Sequence, residues 1–187
     1  ITLLFSVTLC MLPTLVHAGG AFLTKGGAMR LSDDQQMIDL ANRDLDDTSN
    51  GTLAFNLEGR RRNGMAFGAE YLTYRHDFTP STAQAGEART QSIQFLSKKY
   101  FIDGGPVHPY IGIGIGAGHT HVSYTRTNGT RFSDKEFTLA IQALLGLELR
   151  FDNLSFLMEV KHLYHDIEGG GNEYDPTATG LFAGMGF

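Results

Sequence analysis

His119, His121 and Ser123 are the side chains whose types and spacing could do chemistry in this chain. They stand two residues apart and continue the face begun by Ile111, Ile113 and Ile115, so an apolar strand face ends in imidazole and hydroxyl groups. Metal ligation is one use for such a pair. His76, His162 and His165 fall near other strand ends toward the same rim. A stable zinc site, however, needs three or four convergent donors, so no metal is expected and the histidines read as interface residues. The segment 32–50 holds Asp33, Asp34, Asp39, Asp44, Asp46 and Asp47 without the spacing of a calcium-binding loop. It reads as a solvated acidic surface, in which Met37, Ile38, Leu40, Ala41 and Leu45 could line one side of a short helix. There is no nucleophile elbow, phosphate-cradling glycine loop or cysteine cluster, and no cofactor is expected.

What must position these residues is a set of strands. Side-chain alternation marks eight, at 20–31, 52–61, 64–77, 89–102, 108–125, 135–151, 154–167 and 177–187. The sixth shows the physics best. Phe137, Leu139, Ile141, Ala143, Leu145, Leu147, Leu149 and Phe151 share one face, while Glu136, Thr138, Gln142, Glu148 and Arg150 share the other. Short turns containing Arg62-Asn63-Gly64, Asp103-Gly104-Gly105-Pro106 and Asp152-Asn153 alternate with longer polar connections at 32–51, 78–88, 126–134 and 168–176. Even strand number, short turns on one edge and longer loops on the other predict an all-β, eight-stranded antiparallel up-and-down transmembrane β-barrel. Lys25-Gly26-Gly27 interrupts the pattern of the first strand.

The charged residues then fall inside. Glu58, Arg60, Glu70, Glu148, Arg150, Glu159 and Lys161 all lie opposite apolar faces. An eight-stranded barrel has interior room only for packed side chains, and buried charges are tolerable when paired. These seven are expected to form an interior ion-pair network, a plug in place of a wide pore.

Both ends of the chain agree with secretion to a membrane. The apolar run from Ile1 to Val16, followed by His17-Ala18-Gly19, fits a signal peptide over residues 1–18, leaving 19–187 as the barrel domain. Cys10 lies in that segment, so the mature chain needs no disulfide. The last strand alternates up to Phe187, an aromatic end that fits a strand closing a barrel in a membrane. A net charge of −5 gives no basic footprint for nucleic acid, and the absence of Trp removes the Gly-x-Trp mark of a soluble lipocalin-like barrel, the remaining alternative for this pattern.

The run Pro109-Tyr110-Ile111-Gly112-Ile113-Gly114-Ile115-Gly116-Ala117-Gly118 resembles the Pro-Tyr-x-Gly-x-Gly-x-Gly strand of OmpA-like and opacity-type outer-membrane β-barrel proteins. That resemblance implies residence in the cell outer membrane after passage through the periplasm, and a barrel whose terminal aromatic residue is read by the barrel-assembly machinery. The implied partners are outer-membrane lipid and lipopolysaccharide and an extracellular partner of the loops, with a structural or surface-interaction role. His121 and Ser123 also resemble the catalytic pair of outer-membrane lipid A 3-O-deacylases. That likeness implies His121 as base, Ser123 as nucleophile and Glu136 as the nearest carboxylate. Here Tyr124 follows the serine where that family has Asn, and His162 is followed by Leu163 and Tyr164 where the family likeness would place the motif. The expected role is therefore non-catalytic.

Overall fold

A computed structural model describes residues 20–31, 51–78, 83–102, 104–169, 172–174 and 177–187. The proposed signal segment and the acidic segment 32–50 lie outside the described residues. Among the described residues nine strands follow one another: β1 (Gly20–Leu31), β2 (Thr52–Arg60), β3 (Met65–Phe78), β4 (Ala83–Tyr100), β5 (Val107–Arg126), β6 (Arg131–Phe151), β7 (Leu154–Gly169), β8 (Asn172–Tyr174) and β9 (Thr177–Gly186). Each of β1 to β7 pairs antiparallel with the next, β7 pairs with β9, and β9 returns to β1. Eight strands thus close a ring without a free edge. The short β8 only prolongs the end of β7, from Ile167 to Gly169.

The register fixes the shape. A row across the ladder runs from Tyr100 to Tyr110, Gly146, Glu159, Phe182, Gly27, Thr52 and Tyr74, and re-enters β4 at Thr90, ten residues from its start. Such a stagger requires the strands to tilt against the barrel axis. Rows across the strands therefore climb around the wall.

Sorting of side chains is the reverse of a soluble domain. The Ile, Leu and Phe series of β5 and β6 points outward; Ile113 is 67% exposed and Phe137 83%. Thr138, Gln142 and Glu148 on the opposite face of β6 are buried. Outward Leu53, Phe67, Phe95, Phe156 and Leu181 extend the apolar surface around the ring.

Small residues make room for the interior. Gly146 faces Tyr110 across the β5–β6 ladder, where a Cβ would collide with the phenol ring. Tyr110 itself is almost fully buried, so the glycine is required by close approach.

Two hairpins reach further than the alternation predicts. β4 begins at Ala83 and β6 at Arg131, so the expected loop at 126–134 is mostly strand, with only residues 127–130 in the turn. Gly129 there has φ of 82°, a conformation that glycine adopts without cost. The reason is that ladder hydrogen bonds continue regardless of side-chain polarity. Beyond the apolar face the residues are polar on both sides, and the alternation signal vanishes while the strand persists.

At the other end of the sheet the final residue is held. Phe187 N–H donates to Phe22 O at 3.0 Å, and Phe22 N–H donates to Phe187 O at 3.1 Å.

Candidate functional site

Two places on the barrel gather ionisable groups: the lumen and the outward rim near the β5–β6 hairpin. The lumen is the denser. Odd positions of β1 and β7 and even positions of β2 to β6 point inward, so Lys25, Glu70, Glu159 and Lys161 converge from three strands. Lys25 Nζ donates to Glu70 Oε2 at 2.5 Å and to Glu159 Oε1 at 2.9 Å. Lys161 Nζ bridges the same two carboxylates, lying 3.1 Å from Glu159 Oε1 and in direct contact with Glu70 Oε1. Tyr110 donates its hydroxyl to Glu159 Oε2 at 2.8 Å, and Gln142 Nε2 donates to Glu70 Oε1 at 3.1 Å.

A second knot lies toward the short turns. Arg60 binds Glu58 through Nε at 2.7 Å and Glu148 through Nη2 at 2.9 Å. Arg150 Nη2 meets the other oxygen of Glu148 at 3.1 Å, and Tyr100 donates to Glu58 at 3.0 Å. Lys98 joins the knots. Its Nζ is 3.0 Å from Glu58 Oε2 and 3.7 Å from Glu159 Oε2, as ion pairs without hydrogen-bond angles, and it sits 4.9 Å above the Tyr110 ring. All seven residues named from the sequence lie in these two knots. Lys25, Lys98, Tyr100 and Tyr110 were missed, although inward parity alone would have placed them there.

Apolar clusters pack beside and among the ionic knots. Met29, Ala54, Leu72, Tyr74, Leu163, Ala178 and Phe182 pack on the loop side, while Ala66, Leu96 and Leu144 pack around the two tyrosines. The lumen is thus filled by paired charges and apolar clusters together.

The rim differs from what the histidine and serine spacing implies. His121 Nε2 lies 2.9 Å from Ser133 Oγ on β6, within hydrogen-bond distance of that serine. Ser123 shares the outward face of His121 and is the ladder partner of Ser133. Glu136 is the ladder partner of Thr120, a buried inward residue. Its backbone therefore belongs to the inward register, and its side chain lies outside the described set.

The other histidines scatter. His119 packs its ring against Phe137 at 5.3 Å, His162 Nδ1 is 3.0 Å from Thr179 Oγ1 on the outer face, and His76 is buried on the inner face. The side chain of His165 is outside the described set. Among the described residues no three His, Cys, Asp or Glu side chains converge to hold a metal.

What the rim does gather is positive charge. Arg75, Arg89, His121 and Lys135 are consecutive ladder partners across β3, β4, β5 and β6, all on the outward parity. Arg75 is taken up by Asp77 at 2.9 Å and Glu87 at 3.4 Å.

No protein-family model matches the chain, and no curated protein sequence matches it. Solved structures do resemble it. Neisserial surface protein A, from Neisseria, is similar with a TM-score of 0.65 over 90% of this chain and 96% of its own, at 14% identity. Ail, the attachment invasion locus protein of Yersinia pestis, is similar with a TM-score of 0.58 over 90% of this chain and 97% of its own, at 20% identity. A further Ail structure, in complex with the heparin analogue sucrose octasulfate, gives the same figures. The fold is that of the small eight-stranded β-barrels of bacterial outer membranes.

Proposed function

We propose that this protein is an integral outer-membrane barrel that does its work at the cell surface, through its hairpins and loops, as an interaction or envelope-structural protein. One observation carries the reading: a closed ring whose outward face is apolar while its lumen is filled with paired charges. A water-soluble barrel with that polarity would expose its largest apolar side chains, whereas in a bilayer the same face lies against lipid and closure satisfies every ladder hydrogen bond. Residues 1–18 act as the secretory signal, and the outward Phe187 on the β1–β9 seam serves the barrel-assembly machinery. The loop-side partner is a component outside the cell, and the outer leaflet contributes lipopolysaccharide.

No chemical step is assigned to His121, since its hydroxyl partner is Ser133 and the carboxylate at position 136 belongs to the opposite register. The test is fractionation with a peptide epitope inserted between Asn128 and Gly129. Heat-modifiable migration, outer-membrane recovery and labelling of the epitope on intact cells are expected. Recovery as a soluble periplasmic protein, or labelling only after lysis, would overturn the reading. Loss of an acyl chain from lipid A, abolished by His121→Ala, would replace it with catalysis.

A further inference from the structure

We propose that Arg89, His121, Lys135 and Arg131 form a binding site for the phosphate groups of the phosphorylated glycolipid in the outer leaflet. The proposal rests on the membrane reading above and gives that surface a ligand.

The argument starts from position. On β4 the outward face runs Phe95, Ile93, Gln91, Arg89; on β5 it runs Ile115, Ala117, His119, His121; on β6 it runs Leu139, Phe137, Lys135. Each strand leaves its apolar stretch within two outward positions and arrives at a basic residue. Because those residues are ladder partners, their backbones are about 5 Å apart from strand to strand. Strand tilt makes the row climb from Arg89 to Lys135 instead of lying level, so the cations span a layer of headgroup thickness. A group that contacts them all must lie against the barrel wall just above the apolar belt. In a bilayer, that place belongs to the lipid headgroup.

Charge and partners complete the case. Arg89, Lys135 and Arg131 are exposed, and none makes a salt bridge to a described residue. No carboxylate occupies an outward position of β5 or β6 from Ala117 to the hairpin and back to Phe137. Of the acids nearby, Asp134 stands on the inward parity and accepts from the Lys135 backbone N–H at 2.8 Å, and Glu87 on β4 faces Arg75 at 3.4 Å. Ser123 and Ser133, ladder partners next to His121, add hydroxyl donors. This unneutralised basic surface stands on a chain of net charge −5, so it is a local feature and not overall composition. Guanidinium and ammonium groups beside hydroxyls suit phosphate oxygens, the first by paired N–H donors and the second as a point charge.

The experiment uses the barrel domain refolded in phosphatidylcholine nanodiscs doped with diphosphoryl lipid A, and counts lipid A retained per barrel by native mass spectrometry. Insertion is checked first by heat-modifiable migration; a parent that fails to insert overturns the membrane reading and this site together. With insertion established, Arg89→Gln/Lys135→Gln is expected to lower apparent affinity about 25-fold, taking about fivefold for each basic residue at an anionic surface. Arg61→Gln/Lys99→Gln, at the short-turn edge, should leave it unchanged. Lipid A stripped of phosphate should bind the parent no better than the diphosphoryl form binds the double variant. Equal retention by parent and Arg89→Gln/Lys135→Gln overturns the site while leaving the membrane reading intact. So does equal loss in the short-turn variant, or full displacement by matched inorganic phosphate or by sucrose octasulfate.

Discussion

Leu145→Arg tests the outward assignment of the apolar face with a magnitude that separates lipid from water. Leu145 is 59% exposed and lies between Ile111 on β5 and Val160 on β7. It stands eight residues from Phe137 and six from Phe151, near the middle of the outward apolar run of β6. At about 3.3 Å per residue that run is about 46 Å long, and a strand tilt of about 40° leaves about 35 Å along the barrel axis. This slightly exceeds a hydrocarbon core of about 30 Å, so Leu145 falls near the midplane and Phe137 at an interface. An arginine at the midplane costs about 2–4 kcal/mol, and one near the interface about 0–1 kcal/mol. In water, a surface substitution at so exposed a position would fall within about 0.5 kcal/mol of the parent. Denaturant titration of Leu145→Arg and Phe137→Arg in lipid vesicles reads all three cases. The expected result is a large loss for the first and a small one for the second. Two near-neutral substitutions would place this face in water and refute the reasoning, as would equal large losses, which would remove the depth gradient.

The remaining predictions concern the lumen and the hairpin. Glu159→Gln removes the charge shared by Lys25, Lys98 and Lys161; breaking such a buried network is expected to cost about 3–5 kcal/mol in the same denaturant assay. A loss below about 1 kcal/mol would show that Glu70 and Glu58 suffice for those cations. Gly146→Val drives a side chain into the Tyr110 ring and should cost about 1–3 kcal/mol, with partial recovery when combined with Tyr110→Ala; no recovery would place the strain elsewhere. Parent barrels in planar bilayers should give no steady conductance, because the lumen is crossed by Arg60, Lys98, Lys161 and their carboxylates; stable unit steps would contradict a packed plug. Gly129→Val, at a φ of 82°, should cost about 1 kcal/mol and shift hydrogen exchange only in the β5–β6 hairpin.

The barrel was legible because β6 alternates over its whole apolar length. A single strand such as Phe137 to Phe151 reveals a face, and turns such as Asp152-Asn153 reveal the partner direction. The same alternation could not say which face pointed to the lumen; exposure of Ile113 and burial of Glu148 do. Lys25 escaped notice because Gly26 and Gly27 broke the apolar count of β1, although its parity matches Leu23 and Met29. The pairing of His121 with Ser133 was invisible for a different reason. Spacing along one strand places Ser123 near the imidazole in sequence, but the hydroxyl that reaches it is Ser133, diagonal to His121 across the β5–β6 ladder, and register depends on hairpin length. The row from Arg89 to Lys135 is likewise a property of register, joining residues 46 positions apart.

The reversed polarity of this barrel also limits where specificity can reside. Charges in the lumen are spent on one another, so a ligand entering there would have to replace an ion pair with contacts of equal quality, at the cost of leaving a cation such as Lys161 unpaired. The apolar belt offers only shape and hydrophobicity to whatever surrounds it. What remains chemically distinctive is the zone loopward of the belt, where the ladder continues after the apolar residues stop. There, Asp77 and Glu87 answer Arg75, while Arg89, Lys135 and Arg131 make no salt bridge to a described residue. On the proposed site, selective binding would therefore sit at the rim, where basic side chains continue the outward face beyond the apolar belt.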